Sequence, residues 1–113
     1  MPSFSICIAN TVIGVSCLYG STPEYFRRYR TEAVPEYVIQ VQPELLEREQ
    51  RLLNEEADRE GLRRRKFTDF FLERTVIMRQ TAACLLEKDV LLLHGSTVAV
   101  DGRAYLFTAK TGV

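Results

Sequence analysis

Charge of one sign is missing from this chain. Its 113 residues carry 15 Lys and Arg against 15 Asp and Glu, a formal net charge of zero. No bulk field exists to draw in nucleic acid or an anionic membrane, so neither is expected as a partner. Cysteine is sparse and odd in number. Cys7, Cys17 and Cys84 show no C-x-x-C spacing, which points to three buried thiols in a reducing compartment. There is one histidine, His94, with no matching ligand pair near it in sequence, so no metal site is expected. Long apolar runs are also lacking. Residues 4–20 come nearest, but Ser5, Asn10, Thr11 and Ser16 interrupt them, and Met1-Pro2-Ser3 brings no positive side chain. That pattern fits neither a signal peptide nor a membrane span, and a cytoplasmic protein is the expectation. Internal repeats and low-complexity segments are absent. The hydrophobic content of 46% is that of a chain that folds.

Several ordered elements can be read from what is there. Phe4–Ala9 and Val12–Leu18 are rich in Ile and Val and flank Asn10, a residue that accepts turn conformations; they read as two strands of a hairpin. Gly20-Ser21-Thr22-Pro23 reads as a helix start, with Thr22 capping and Pro23 at the first helical position. The short helix predicted to follow, to about Arg30, places Tyr25, Phe26 and Tyr29 on an apolar side and Arg27, Arg28 and Arg30 outward. Tyr37–Val41 is a β-branched run between prolines, a third strand. Residues 44–61 read as a helix with a Leu45, Leu46, Leu52 and Leu53 stripe, a solvated remainder of mixed charge, and Gly61 as its end. Arg63-Arg64-Arg65-Lys66 reads as a solvated linker balanced by the acidic cluster before it. A second long helix, capped by Thr68-Asp69 and reaching about Glu87, should pack Phe67, Phe70, Phe71, Ile77, Met78, Ala82 and Leu85 on one face. Val90–Leu93 reads as a strand covered on both sides. Thr97–Val100, the Asp101-Gly102 turn and Arg103–Thr108 make a hairpin.

The last of these strands runs into Thr108-Ala109-Lys110-Thr111-Gly112-Val113, which is close to the first half of the phosphate-binding pattern G-x-x-x-x-G-K-[ST]. Ala109 stands where that pattern opens with Gly, and the Gly-Lys-[ST] half is not among these residues. Leu93-His94-Gly95-Ser96, the Asp101-Gly102 hairpin and the strand ending in Phe107-Thr108-Ala109-Lys110-Thr111-Gly112 stand in one row. Over residues 90–113 that order resembles the nucleotide-binding core of the HPr kinase/phosphorylase-like family, and the related P-loop of phosphoenolpyruvate carboxykinases.

The resemblance implies an N-terminal portion of a P-loop protein interrupted inside its phosphate loop, whose parent is an ATP- and Mg-dependent phosphotransferase. On that reading Ala109, Lys110, Thr111, Gly112 and Val113 form the opening turn of the nucleotide site. Lys110 is a solvent-facing loop residue and not the phosphate-binding lysine. His94 is either a structural histidine at a strand end or a group near the phosphate, the one candidate for a catalytic role. The chain alone is expected to be inactive and to need no cofactor, because most donors of a phosphate nest are missing from it. The expected fold class is α+β: a small mixed or antiparallel sheet with two longer helices and a short one, an incomplete part of a larger P-loop fold. Residues 1–62 and 67–113 are its two portions, within a single domain or fragment. The alternative is a complete small α+β protein that binds a partner or itself, and self-association through an exposed strand edge is a further expectation.

Overall fold

A computed structural model describes residues 2–90, 96–100 and 103–107. The chain opens with two antiparallel strands, β1 (Ser3–Ile8) and β2 (Thr11–Ser16), in register Ile8↔Thr11 and Ile6↔Ile13. The hairpin needs only two turn residues because Ala9 (φ 51°) and Asn10 (φ 60°) both take the left-handed conformation. That is the turn geometry whose twist matches the strands, here without the glycine that usually serves it. A four-residue helix α1 (Thr22–Tyr25) and a 3-10 turn (Arg27–Tyr29) then return the chain to β3 (Tyr37–Gln40), which pairs parallel to β2. The sheet order is β1-β2-β3. The outer edge of β1 is partly covered, since Arg30 bridges Ile6 and the Thr31 amide donates to the Ser5 carbonyl.

Two eighteen-residue helices follow, α2 (Pro43–Glu60) and α3 (Asp69–Leu86). Gly61 ends α2 in the left-handed region (φ 69°), with the Leu62 amide donating to Ala57 O and the Gly61 amide to Asp58 O. Thr68 caps α3 by accepting from the Phe71 amide at 3.1 Å. The linker between the helices is exposed, and Arg64 reaches back to Asp58 through two hydrogen bonds of 3.0 and 2.6 Å. A second sheet is the hairpin of β4 (Ser96–Val100) and β5 (Arg103–Phe107). The class is therefore α+β, a three-stranded mixed sheet with two long helices and a short one.

The core lies on one face of the sheet. Alternation along β1 and β2 turns Phe4, Ile6, Ile13 and Val15 inward, joined by Ile39 from β3. Against them pack Leu46 of α2 and Leu72, Val76 and Ile77 of α3. The portions 1–62 and 67–113 thus share one core through α3.

Three expectations need correction. The inward face of α3 is Leu72, Glu73, Val76, Ile77, Thr81 and Leu85. Of the expected face only Ile77 and Leu85 belong to it, while Phe67, Phe70, Phe71, Met78 and Ala82 are half-buried. The reason is that Phe67 and Phe71 stack on each other (4.7 Å) and Phe70 packs on Tyr25 (6.2 Å), so the rings cover the sides of the helix. Thr22 does not cap α1; Ser21 holds the cap position without a side-chain bond, and the Thr22 hydroxyl is turned inward to Glu73. Of the expected apolar side Tyr25, Phe26 and Tyr29, only Phe26 is buried, whereas Tyr25 and Tyr29 are 54% and 50% exposed. The Val90–Leu93 strand and the Asp101-Gly102 turn involve residues 91–93 and 101–102, outside the described residues.

Candidate functional site

Two consecutive side chains of α3, Glu73 and Arg74, do different things. Glu73 points inward and is fully buried. Its carboxylate accepts from the Leu18 amide (2.6 Å), the Tyr19 amide (3.3 Å) and the Thr22 hydroxyl (2.5 Å). Three donors around one buried carboxylate compensate its desolvation and tie the end of β2 to the middle of α3. Next to it, Cys17 is buried and its thiol donates to Pro2 O and Tyr19 O. Burial, and then the Glu73 charge, push the Cys17 thiol above its ordinary pKa, so it stays protonated. The Tyr19 hydroxyl donates to Asp69 at 3.0 Å, and that bond raises its own pKa.

Arg74 turns sideways. Its guanidinium carbon lies 4.3 Å from the Tyr25 ring centroid, 4.6 Å from that of Phe70 and 5.5 Å from that of Phe71. These are cation–π distances. Its Nε is buried and has no hydrogen-bond partner among the described residues. Beside this cluster, a groove of about 390 Å³ is lined by Ser21, Glu24, Tyr25, Arg27, Arg28 and Phe70.

A second buried carboxylate joins the two long helices. Glu49 is 2% exposed, and Arg79 donates to both its oxygens at 2.8 and 2.7 Å. The sequence placed Glu49 on a solvated face; the structure buries it because it falls one turn beyond Leu45 and Leu46, on the apolar stripe. A cavity of about 210 Å³ lies along this seam.

His94 and Ala109, Lys110, Thr111, Gly112 and Val113 lie outside the described residues. What is described is the strand that feeds them: β5 pairs with β4 in register Val100↔Arg103 and Ser96↔Phe107 and ends at Phe107. Sequence reasoning missed Glu73, Glu49 and Arg74. A signal existed for the first two, since each is an acidic residue at an apolar position of its helical stripe. Among the described residues no group of three or more His, Cys, Asp or Glu is placed to hold a metal ion, and no helix is long and apolar enough to cross a membrane. No family model, curated protein or solved structure matches the chain.

Proposed function

We propose that this chain is the N-terminal part of an HPr kinase-like, P-loop nucleotide-binding protein whose parent transfers a phosphoryl group from ATP. The observation that carries the reading is the β4–β5 hairpin: two strands in register on either side of Asp101-Gly102, the second running to Phe107, directly before Thr108-Ala109-Lys110-Thr111-Gly112. A P-loop is a strand that delivers backbone amides to a phosphate at its C-terminal end, followed by a helix whose N-terminus completes the nest. On this reading Ala109–Val113 correspond to the opening of that pattern. The Lys that reaches the β- and γ-phosphates and the hydroxyl that holds Mg²⁺ come from a Gly-Lys-Ser or Gly-Lys-Thr that follows in the parent. ATP and Mg are the cofactors of that parent, and these 113 residues contribute the scaffold that aims the loop.

The test has two parts. Translation of the coding region beyond Val113 should read Gly-Lys-Ser or Gly-Lys-Thr; a different continuation overturns the reading. Thermal unfolding of the 113-residue chain with millimolar Mg-ATP should show no shift, and the same chain extended through the next helix should gain several degrees, the size expected when ligand stands well above its Kd. An extended chain that ignores Mg-ATP sinks the proposal.

A further inference from the structure

We propose that the groove between α1 and the first turns of α3 is a docking site for an acidic segment of a partner polypeptide. A guanidinium packed against aromatic rings is held by its faces, and its N–H donors lie along its edge. Tyr25 and Phe70 hold Arg74 in this way, at 4.3 and 4.6 Å. No carboxylate pairs with Arg74 among the described residues, and its buried Nε is unpartnered there. The fold thus fixes a planar cation without committing its donors.

The neighbours share this character. Arg28 lines the groove and makes no ion pair among the described residues. Arg27 is bridged only to Glu24 at 2.9 Å, with both side chains about two-thirds exposed, a contact that a competing carboxylate displaces at little cost. Asp69, the nearest acid at the start of α3, is engaged by the Tyr19 hydroxyl. Tyr25 leaves 54% of its surface open beside these cations. An exposed tyrosine set among arginines is the composition that dominates anchor points of protein interfaces.

Charge complementarity names the occupant. Arg27 and Arg28 against Glu24 in the lining, with Arg74 stacked on the Tyr25 and Phe70 walls, favour carboxylates, while the two rings favour an apolar or aromatic side chain. Nucleic acid is the weaker match, because its binding relies on many phosphate contacts and this chain has no net positive charge. The site does not depend on the nucleotide reading, since every residue in it lies within Ser21–Tyr29 or α3.

The test uses the 113-residue chain and a fluorescein-labelled Glu/Tyr copolymer peptide, followed by fluorescence anisotropy. Saturable binding is expected, weakening as salt rises, with no binding of the matching Lys/Tyr peptide. Arg28→Glu, at an exposed position, should weaken it about tenfold, and Arg74→Lys should weaken it comparably because the charge remains but the stacked fork is lost. Arg28→Glu tests the site even if the Arg74 variant is unfolded. Absence of saturable binding, equal binding by the Arg28→Glu variant, or tighter binding of oligothymidylate or of anionic vesicles would overturn the proposal.

Discussion

Glu73 shows how one side chain can set the course of the backbone around it. Its carboxylate terminates β2 by accepting from the amides of Leu18 and Tyr19, and it starts α1 by accepting from Thr22. Replacing it with Ala leaves those buried donors without an acceptor and opens a cavity against Cys17. Glu73→Ala should destabilise the fold by about 3 kcal/mol, read as a lower urea midpoint, whereas Glu73→Gln should lose less because it keeps one acceptor oxygen. An unchanged midpoint for Glu73→Ala would remove this residue from the centre of the account. The thiols give a pH signature. Cys17, through burial and Glu73, and Cys84, through burial and Glu87, both have pKa values raised above 9.0. A raised folded pKa means the unfolded chain gives up its protons first. The associated stability is therefore complete below pH 9.0 and is lost as pH climbs through the folded values. Thermal unfolding from neutral pH to about pH 10 should show this decline, and Cys17→Ser with Cys84→Ser should reduce it. At neutral pH, iodoacetamide should reach Cys7 and Cys84 ahead of Cys17, which is fully buried.

The elements differ in how plainly they could be read from the chain. Strand alternation, the Gly61 stop and the Thr68 cap act within a few residues, so β1, β2, α2 and the start of α3 follow from local chemistry. What failed depended on partners distant in sequence. Thr22 is a good cap by type, yet a carboxylate 51 residues away takes its hydroxyl. The aromatics of α3 look like a core stripe, yet Phe70 packs on Tyr25 of α1 at the flank of the helix. Glu49 looks like one more surface acid on a charged helix, and only the arrival of α3 with Arg79 makes its burial tolerable. That pair offers the element-scale test. Arg79→Ala should destabilise by about 3 kcal/mol, because Glu49 is then left buried and unpaired. Glu49→Leu combined with Arg79→Leu should recover most of the loss. Equal loss in the double variant would show that Arg79 acts through packing of its stem and not through the ion pair.

At the scale of the whole molecule, the division suggested by the charged linker does not follow the physics of the core. Arg63–Lys66 is exposed and a natural place for cleavage, but the sheet face made by Phe4, Ile6, Ile13, Val15 and Ile39 is completed by Leu72, Val76 and Ile77 from beyond it. Residues 1–62 alone would leave that face open to water and would also leave the Leu18 and Tyr19 amides without Glu73. An apolar sheet face without its covering layer has no means of offsetting the conformational entropy lost on folding. Trypsin acting on the folded chain should therefore cut in the 63–66 linker and leave the two pieces bound to one another through native conditions. Residues 1–62 expressed separately should lack a cooperative thermal transition and should bind the dye ANS. Addition of residues 67–90 as a peptide should restore the transition, since that segment brings Glu73 and the missing hydrophobic layer together. A cooperative transition for 1–62 alone would mean that the three strands and α2 form a unit by themselves. In that case α3 would be an attachment to the sheet, and the docking groove it forms with α1 would be a contact between two separately stable parts.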